Sequence, residues 1–535
     1  MNTFDYVIVG GGTAASILAY RLGEKGHSVC VVEAGPEDRN PYIRMPVGWF
    51  KTLKDPRVTW QLQYQGSEGT LGRVTPLVQG KVLGGSSAVN GAVYNRGQKE
   101  DFDTWAELGN PGWGYADVLP YFRRSERLYG AGDDRFRGRD GPMPVNPISW
   151  RTTVGETFLE GAKSIGIPES VDYNGEVQTG VNYTQGNVLR NRRWSTAHAF
   201  LHPARSRFNV EVLTGATVTR VVLDGRRATG VEYRRGDEPR TRSIAASRAV
   251  VLCAGAIGSP KLLQLSGIGP AAVLGAAGVA VHSALEGVGE NLRDHFVPRV
   301  IVRCKPHVVT VNERVKGFAL MQELVRWAIG RPSVLAISPV LIYGFWKSRP
   351  ELARPDIALS YFPASYKLGM IGHLDDKPGL TCGGFQLRPE SQGYVRVRSA
   401  SDRDAPEIQP NFLAHETDRS VVVAALKCAR SIMHSVPMQR LVESEMLPGP
   451  DVQTDDQWLQ YARRYGSTGY HPIGTCRMGD ASDPRAVVDP RLKVHGHERL
   501  YVMDASVMPT LVSANTAAAT MMIAEKGADL LGSGT

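Results

Sequence analysis

One histidine of this sequence stands where an imidazole can carry out proton transfer. The chain has 12 histidines, so a histidine taken at random is more often structural than catalytic. His471 differs because Pro472 follows it, and the position before a proline is disfavoured in a helix. An imidazole on such a loop can project into a cleft and, with a pKa near neutrality, accept a hydroxyl proton. The alternative is a structural histidine with satisfied hydrogen bonds.

A second polar residue, Asn515, precedes a long predicted helix that runs to about Leu531. Asn is a favoured N-cap, so capping alone would explain it. His495 and His497 lie in a polar loop nearby, and we interpret them as bystanders.

The stretch from Phe4 to Gly35 is arranged as strand, glycine turn, helix, strand and acid. Gly10 permits a sharp turn out of the first strand, and Gly12 lets a pyrophosphate approach the backbone. Ala15 holds the third small position, where the helix packs on the sheet. Free amides at the helix start then face the phosphates. Glu33 lies about 20 residues on, where an acid can bind a ribose. The stretch therefore predicts a dinucleotide site, but it does not separate NAD from FAD.

A second glycine-rich run extends from Gly80 to Gly91 and contains paired serines, Lys81 and Asn90. Such a run is unusual for a core element and suits a backbone laid against a flat or charged ligand. The alternative is a plain Gly/Ser loop.

Residues 80–103 resemble the first signature of the glucose–methanol–choline (GMC) family of flavin oxidoreductases, through the paired glycines and serines, Asn90, Tyr94, Gly97 and Asp103. Similarity to the same family continues in Gly255–Gly269, in Gly287–His295 and in the C-terminal segments around His471 and Asn515. Together the matches run from residue 4 to about 526.

The resemblance implies FAD rather than NAD, and an alcohol as substrate. It assigns His471 as the base that removes the hydroxyl proton, while Asn515 holds the alcohol oxygen and a hydride passes to flavin N5. We expect a primary alcohol as donor, and oxygen or a quinone-like compound as electron acceptor. Some relatives attach FAD to a histidine two residues after the serine pair; Val89 stands there, so we expect non-covalent FAD.

The resemblance also assigns the cofactor contacts, with Val218 beside the adenine and Asp504 and Ala505 contacting FAD through backbone or ribityl contacts. Val218 could equally be a strand residue packed in the core. The start of the helix after Asn515 would favour a reduced anionic flavin. The expected FAD-binding residues are Gly10, Gly12, Thr13, Ala14, Glu33, Ala34, Gly85, Asn90, Ala92, Val93, Val218, Tyr470, Asp504, Ala505, Asn515 and Thr516.

The fold class that follows is α/β: a Rossmann-like FAD-binding domain with a parallel sheet, plus an α+β substrate domain with a largely antiparallel sheet. Apolar runs predict parallel strands at Tyr6–Val9, Val29–Val32 and Ala249–Cys253. A helix is predicted from about Asp418 to His434, capped by Thr417 or Asp418. We predict that residues 1–155, 192–295 and 466–535 form the FAD domain, and 156–191 and 296–465 the substrate domain.

The chain has 535 residues, of which 42% are hydrophobic, so it can bury a large core and form two or more structural units. The net charge is +9, but the cations are interspersed, so we expect no nucleic-acid partner. We find no apolar run of about 18 residues, and hence expect no transmembrane segment. No signal peptide is expected either, and the location predicted is cytoplasmic. The six cysteines show no metal-type spacing; we expect free thiols and no metal site.

Three rival functions remain open at this point. The glycine motif alone favours an NAD-dependent dehydrogenase. A non-oxidising family member, such as a hydroxynitrile lyase, would bind FAD without reducing it. The charge alone would suggest a nucleic-acid or structural protein, which the absence of a basic cluster disfavours.

Overall fold

The computed structural model describes residues 2–236, 238, 240–367 and 373–532. Two large sheets contain the strands β1 Thr3–Val9, β2 Val29–Val32, β3 Gly180–Tyr183, β4 Val210–Leu213, β5 Ala216–Asp224, β6 Arg227–Arg235, β7 Arg242–Leu252, β8 Arg299–Cys304, β9 Ile342–Trp346, β10 Ile357–Phe362, β11 Gly379–Gln386, β12 Val442–Leu447 and β13 Leu500–Val502. The longer helices are α1 Thr13–Glu24, α2 Lys99–Glu107, α3 Tyr115–Ser125, α4 Thr153–Ser164, α5 Gly255–Leu265, α6 Gly317–Ala328, α7 Glu416–Met433, α8 Asp455–Tyr465 and α9 Thr516–Gly532.

The first sheet has the order β4-β2-β1-β7-β6-β5, with β13 also paired to β7. Its strands β4, β2, β1, β7 and β13 are parallel, whereas β5 and β6 continue the sheet from β7 as antiparallel hairpins. The register aligns Val9 with Val32 and Leu252, and Leu252 with Val502. The carboxyl ends of these strands therefore meet at one edge, where open α/β sheets bind their ligands.

The second sheet has the order β12-β8-β11-β10-β9-β3, and every neighbouring pair is antiparallel. Helix α7 covers one face of it, packing on β11. The core of this half is continuous from α4 through the sheet to α7 and α8, with Phe158, Tyr361 and Leu426 fully or almost fully buried.

The predicted parallel strands and the glycine turn are confirmed: β2 coincides with its apolar run, whereas β1 and β7 begin earlier in the chain than predicted and end at Val9 and Leu252. The alternation of apolar and polar residues from Asn209 to Val222, rich in Val and Thr, predicts one strand from the sequence. The structure has two strands there, because Gly215 at φ +64° breaks the stretch and separates the parallel strand β4 from β5. Helix α7 begins at Glu416, so the predicted caps are wrong. The side chain of His415 caps this helix, accepting from the amide of Thr417.

The strands of the first sheet lie within the ranges predicted for an FAD domain, and those of the second within the ranges predicted for a substrate domain. The domain boundaries themselves stay a prediction. All six cysteines are free thiols, as expected. In the described part of the chain, no helix combines the length and apolar character needed to cross a bilayer.

Candidate active site

The loop that carries His471 is fixed by a buried carboxylate. Oδ1 of Asp294 accepts from the backbone amide of His471 at 2.8 Å. Its Oδ2 accepts from the hydroxyl of Tyr64 at 2.8 Å and from the hydroxyl of Thr468. Burial raises the pKa of Asp294 to about 6. Thr468 and the amide of His471 tie the loop to Asp294, and Tyr64 in turn holds the carboxylate, so the position of the imidazole is set by the surrounding protein.

One backbone carbonyl and two imidazoles form a series of hydrogen bonds that ends at His471. Nε2 of His295 is 2.8 Å from the carbonyl of Leu387, which can only accept, so this nitrogen carries the proton. Burial lowers the pKa of His295 to about 4; its ring is therefore neutral, and Nδ1 is an acceptor. The Nδ1 atoms of His295 and His471 are 2.9 Å apart, so His471 donates from Nδ1. This leaves Nε2 of His471 unprotonated.

The protonation state of His471 follows from its surroundings. Burial, and then the neighbouring His295, lower its pKa well below 6.5. The sequence interpretation placed this pKa near neutrality; the buried site shifts it to the acid side because the charged form loses its hydration. The imidazole is therefore neutral at physiological pH, while part of the residue stays accessible to solvent.

Asn515 lies immediately before α9, and its amide points at the imidazole. Nδ2 of Asn515 donates to Nε2 of His471 at 2.9 Å. Its Oδ1 is buried and accepts no hydrogen bond from any described residue. The interpretation as a cap alone is therefore wrong, because a cap would use this oxygen to accept a helix amide. The oxygen is free to accept a bond from a ligand.

Tyr343, on strand β9 of the second sheet, lies next to the side chain of Asn515. Burial raises its pKa to about 12, and an interaction with the side chain of Asn515 acts in the opposite direction. Tyr343 belongs to a buried apolar cluster whose other members include Val93, Phe345 and Phe385. The ring of Phe385 lies 5.0 Å from that of His295. His295 thus packs against this cluster, which we call the aromatic wall.

The glycine turn after β1 and the second glycine run are in direct contact. The amide of Gly84 donates to the carbonyl of Gly11 at 2.8 Å. Gly10 adopts φ +94°, and a Cβ there would come within 2.7 Å of the carbonyl oxygen of Cys253. A Cβ on Gly85, at φ +51°, would come within 2.7 Å of Cα of Gly12. Only glycine fits these positions, so two backbones are brought together at the carboxyl edge of the sheet.

Glu33 follows β2 and is almost fully buried. Its two carboxylate oxygens accept from the amides of Gly11 and Gly35, at 2.6 and 2.7 Å. Burial raises its pKa, against the effect of these two bonds. Each oxygen keeps a second lone pair, so the residue ties two loops together and can still accept from a ribose hydroxyl.

Asp504 acts as a structural tie at the end of β13. Its carboxylate accepts from the amide of Gly255 at 2.8 Å and the hydroxyl of Ser259 at 2.6 Å. The other oxygen accepts from the amide and hydroxyl of Ser506. With four donors already bound, this side chain fixes the loop. Any contact of Asp504 with a cofactor is therefore assigned to its backbone.

The remaining residues predicted to contact the cofactor lie in several separate segments of the chain. Thr13 and Ala14 form the first turn of α1, and Ala34 follows Glu33. Asn90 Oδ1 accepts from the amide of Ala92 and from Arg193, both at 2.8 Å, and sets the backbone that leads to Val93. Farther along the chain, Val218 is half-buried on β5, Tyr470 precedes His471 at φ +63°, Ala505 follows Asp504, and Thr516 begins α9.

Comparison with known proteins decides the family. Family models described as GMC oxidoreductase match residues 4–297 and 389–524. An oxygen-dependent choline dehydrogenase of Vibrio vulnificus is 38% identical over 543 residues, covering 99% of this chain and 94% of the relative. The chain belongs to the GMC oxidoreductase family.

Solved structures agree with this assignment. Pyridoxine 4-oxidase from Mesorbium loti superposes with a TM-score of 0.89 at 30% identity, covering 98% of both chains. A variant of formate oxidase from Aspergillus oryzae gives a TM-score of 0.91 at 25% identity, covering 99% of this chain and 98% of that one. This GMC oxidoreductase is therefore an FAD-dependent enzyme that acts on CH–OH donors, and the predicted fold class is confirmed.

The residues of this GMC oxidoreductase fit FAD. A cavity lies where the start of α1, the second glycine run and the start of α9 converge. The unpaired Oδ1 of Asn515 lies beside the imidazole, at the start of the same helix. The cavity is lined by polar side chains together with two methionines and a tryptophan; its lining residues are Thr13, Ser87, Asn90, Met143, Asn187, Trp194, Thr196, Ala517 and Met521.

Sequence reasoning gave no role to three residues of this site: Asp294, His295 and Tyr343. The first two fall at the end of a stretch that matched the family, Gly287–His295, and that match was the available signal. Tyr343 lies in a β-strand with no distinguishing motif. Only the three-dimensional structure places it against Asn515.

Proposed function

We propose that this GMC oxidoreductase oxidises a primary alcohol to an aldehyde, with Nε2 of His471 as the base. The hydrogen-bond series from the Leu387 carbonyl through His295 carries this proposal, because it leaves Nε2 as the proton acceptor. FAD would supply the oxidising chemistry by accepting the hydride at N5. Every other step depends on residues of the chain.

Binding of the alcohol would replace the hydrogen bond between Asn515 and His471 with two hydrogen bonds, one between each of these side chains and the alcohol hydroxyl. In the present structure the lone pair of Nε2 accepts from Asn515. A substrate hydroxyl in that place would donate its proton to Nε2, and the Asn515 amide would then donate to the alcohol oxygen. Since His471 already donates from Nδ1, it can take up the second proton without changing its partner. General-base catalysis of this kind contributes about 10²–10⁴-fold to a rate.

The cofactor would be held by the two glycine runs, the first turn of α1 and the start of α9. We propose that the predicted residues at these positions contact FAD, that Glu33 binds the adenosine ribose and that Val218 packs beside the adenine. Val89 is buried in a small apolar cluster with Val82 and Ala88, and its side chain cannot form a bond to the flavin. The bound FAD should therefore be released when the protein is denatured.

The aromatic wall suggests the class of alcohol. The cluster that contains Val93, Tyr343, Phe345 and Phe385 consists of apolar and aromatic side chains. Such surfaces bind aromatic or aliphatic groups, which favours an alcohol with an apolar body. Choline is the second candidate, favoured by the relatives named choline dehydrogenase. A quaternary ammonium would rely on cation–π contacts with the aromatic rings.

An anaerobic screen tests the proposal. The purified protein is mixed with benzyl alcohol, with hexanol and with choline, and bleaching of the flavin absorption is followed. We expect an aryl or alkyl alcohol to bleach it faster than choline does. Failure of every alcohol, with FAD bound, would favour a lyase of the same family. Exposure of the reduced protein to air or to a soluble quinone then identifies the electron acceptor.

A further inference from the structure

Helix α6 presents an unusual row of exposed apolar side chains, which we call the apolar stripe. It consists of Phe318, Met321, Val325 and Ile329, which are 77%, 59%, 58% and 62% exposed. Their spacing of three and four residues places them on one side of the helix and its C-terminal end. Single exposed apolar residues are ordinary, but a contiguous group marks a surface that contacts something apolar.

The opposite side of α6 is firmly packed, so the stripe is not a core face that has swung outward. Leu320, Leu324 and Trp327 pack on the core of the substrate half. The indole Nε1 of Trp327 donates to the carbonyl of Asn191 at 2.8 Å. Glu323 is fully buried and accepts from the amide of Val334 at 3.0 Å. The helix is therefore apolar on both sides, with one side buried and the other in solvent.

Cations border the stripe. Arg326 and Arg331 are exposed at its C-terminal end, and Lys316 at its N-terminal end. Residues 188–193 form a short hairpin beside Trp327, and it contributes two further exposed cations, Arg190 and Arg192. The guanidinium of Arg192 lies 5.5 Å from the Trp327 ring centroid.

Acidic side chains near the stripe are few and engaged. Between residues 314 and 332 the sequence contains one acidic residue, Glu323, and this one is buried and paired with Arg326 at 3.5 Å. Asp376 lies near the N-terminal end, 3.8 Å from Lys316 and 3.0 Å from Lys367. The border of the stripe therefore carries a positive charge.

We propose that the apolar stripe and its cationic border bind the surface of an anionic lipid bilayer, with α6 lying in the plane of the interface. A helix with a row of aromatic and aliphatic residues, flanked by Lys and Arg, has the chemistry of such surface-binding segments. Anionic headgroups would neutralise the border while the stripe enters the acyl boundary. A symmetric dimer would instead bring the same patch of two copies together and place cations against cations.

Vesicle co-sedimentation of the FAD-loaded chain tests this inference. Vesicles of phosphatidylglycerol mixed with phosphatidylcholine should bind it at least about tenfold more tightly than phosphatidylcholine alone. Binding should weaken as salt rises from about 0.1 M to 1 M, where the Debye length shrinks to about 3 Å. The absence of any vesicle binding would overturn the proposal.

Two sets of variants locate the contact. The combined variant Phe318→Gln, Met321→Gln, Val325→Gln and Ile329→Gln should lose at least about tenfold in binding. Arg190→Glu with Arg331→Glu, which leaves the Arg326–Glu323 pair intact, should abolish the preference for anionic vesicles. The matched control is Val171→Gln with Val436→Gln, two exposed valines of 96% and 77% exposure elsewhere on the surface; it should bind as the parent does.

Controls separate a folding defect and a dimer from the proposed contact. Each variant should keep its bound flavin spectrum and its rate of flavin reduction, since none of these residues belongs to the active site. If the stripe variant binds anionic vesicles as tightly as the parent, the proposal is overturned. It is equally overturned if the parent is a dimer by analytical ultracentrifugation and the stripe variant a monomer, because the stripe is then a self-association surface.

Discussion

Two regions of the molecule are built on opposite principles: the loops at the carboxyl edge of the parallel sheet, and the side chains that we propose for catalysis beside the antiparallel sheet. The second region, which we call the catalytic face, consists of His295, His471 and Asn515. At the sheet edge, glycines bring two backbones so close that a single Cβ on Gly10 would meet the carbonyl oxygen of Cys253 at 2.7 Å. At the catalytic face, side chains are held by directed hydrogen bonds, and the location of one proton on His471 decides what the site can do. A substitution that adds side-chain volume should therefore damage the sheet edge. A substitution that removes a hydrogen-bond donor or acceptor should damage the catalytic face.

The largest effect is expected at the sheet edge. Gly10→Ala should lose most of its bound FAD, and with it the activity, because the methyl group collides with backbone. Gly26 is the matched control: it has a similar φ of +85°, but no atom lies within 4 Å of its added Cβ. Both variants carry the strain of a positive φ, about 1–2 kcal/mol. The ratio of flavin to protein absorbance measures the outcome, and equal FAD content in the two variants would contradict the comparison.

A smaller effect is expected from the amide at the catalytic face. Asn515→Ala removes two groups: the Nδ2 donor that faces Nε2 of His471, and the unpaired Oδ1 of the same amide. By analogy with lost oxyanion donors, flavin reduction by an alcohol should slow by about a hundredfold or more. The rate constant of anaerobic flavin reduction measures this. An unchanged rate constant at saturating alcohol would show that Asn515 does not act on the reacting oxygen.

His295 sharpens the comparison because its effect is transmitted through another ring. His295→Phe keeps an aromatic ring beside Phe385 but removes the acceptor for Nδ1–H of His471. His471 can then adopt the other tautomer, with its proton on Nε2, and we expect flavin reduction to slow by about ten- to a hundredfold. His295→Asn offers an amide oxygen as acceptor at a similar place and should recover much of the loss. If both variants slowed equally, His295 would contribute packing alone.

The smallest effect is expected from pH. Because burial lowers the pKa of His471 below 6.5, the neutral base is present above that pH and is lost only as the pH falls further. Flavin reduction should therefore be nearly independent of pH from about 7 upward. The rate constant measured in a series of buffers checks this, and an acid limb centred well above 6.5 would contradict the lowered pKa.

The two regions also differ in how far sequence predicts them. Gly10, Gly12 and Glu33 lie in one continuous stretch whose order of elements is local, so its fold could be predicted closely. The split of Asn209–Val222 was missed because one glycine, Gly215, interrupts a pattern that otherwise alternates. His295 contacts His471, which lies 176 residues further along the chain, and Tyr343 contacts Asn515. Both contacts form only in the folded protein, so no local sequence pattern predicts them.

The central claim is that Nε2 of His471 removes the proton of an alcohol bound beside FAD. Stopped-flow reduction of His471→Ala under anaerobic conditions tests it most directly, with flavin content measured beforehand. We predict that the variant retains its FAD and that reduction by the best alcohol slows by about 10²–10⁴-fold. Reduction at the parental rate in the FAD-loaded variant would contradict the account.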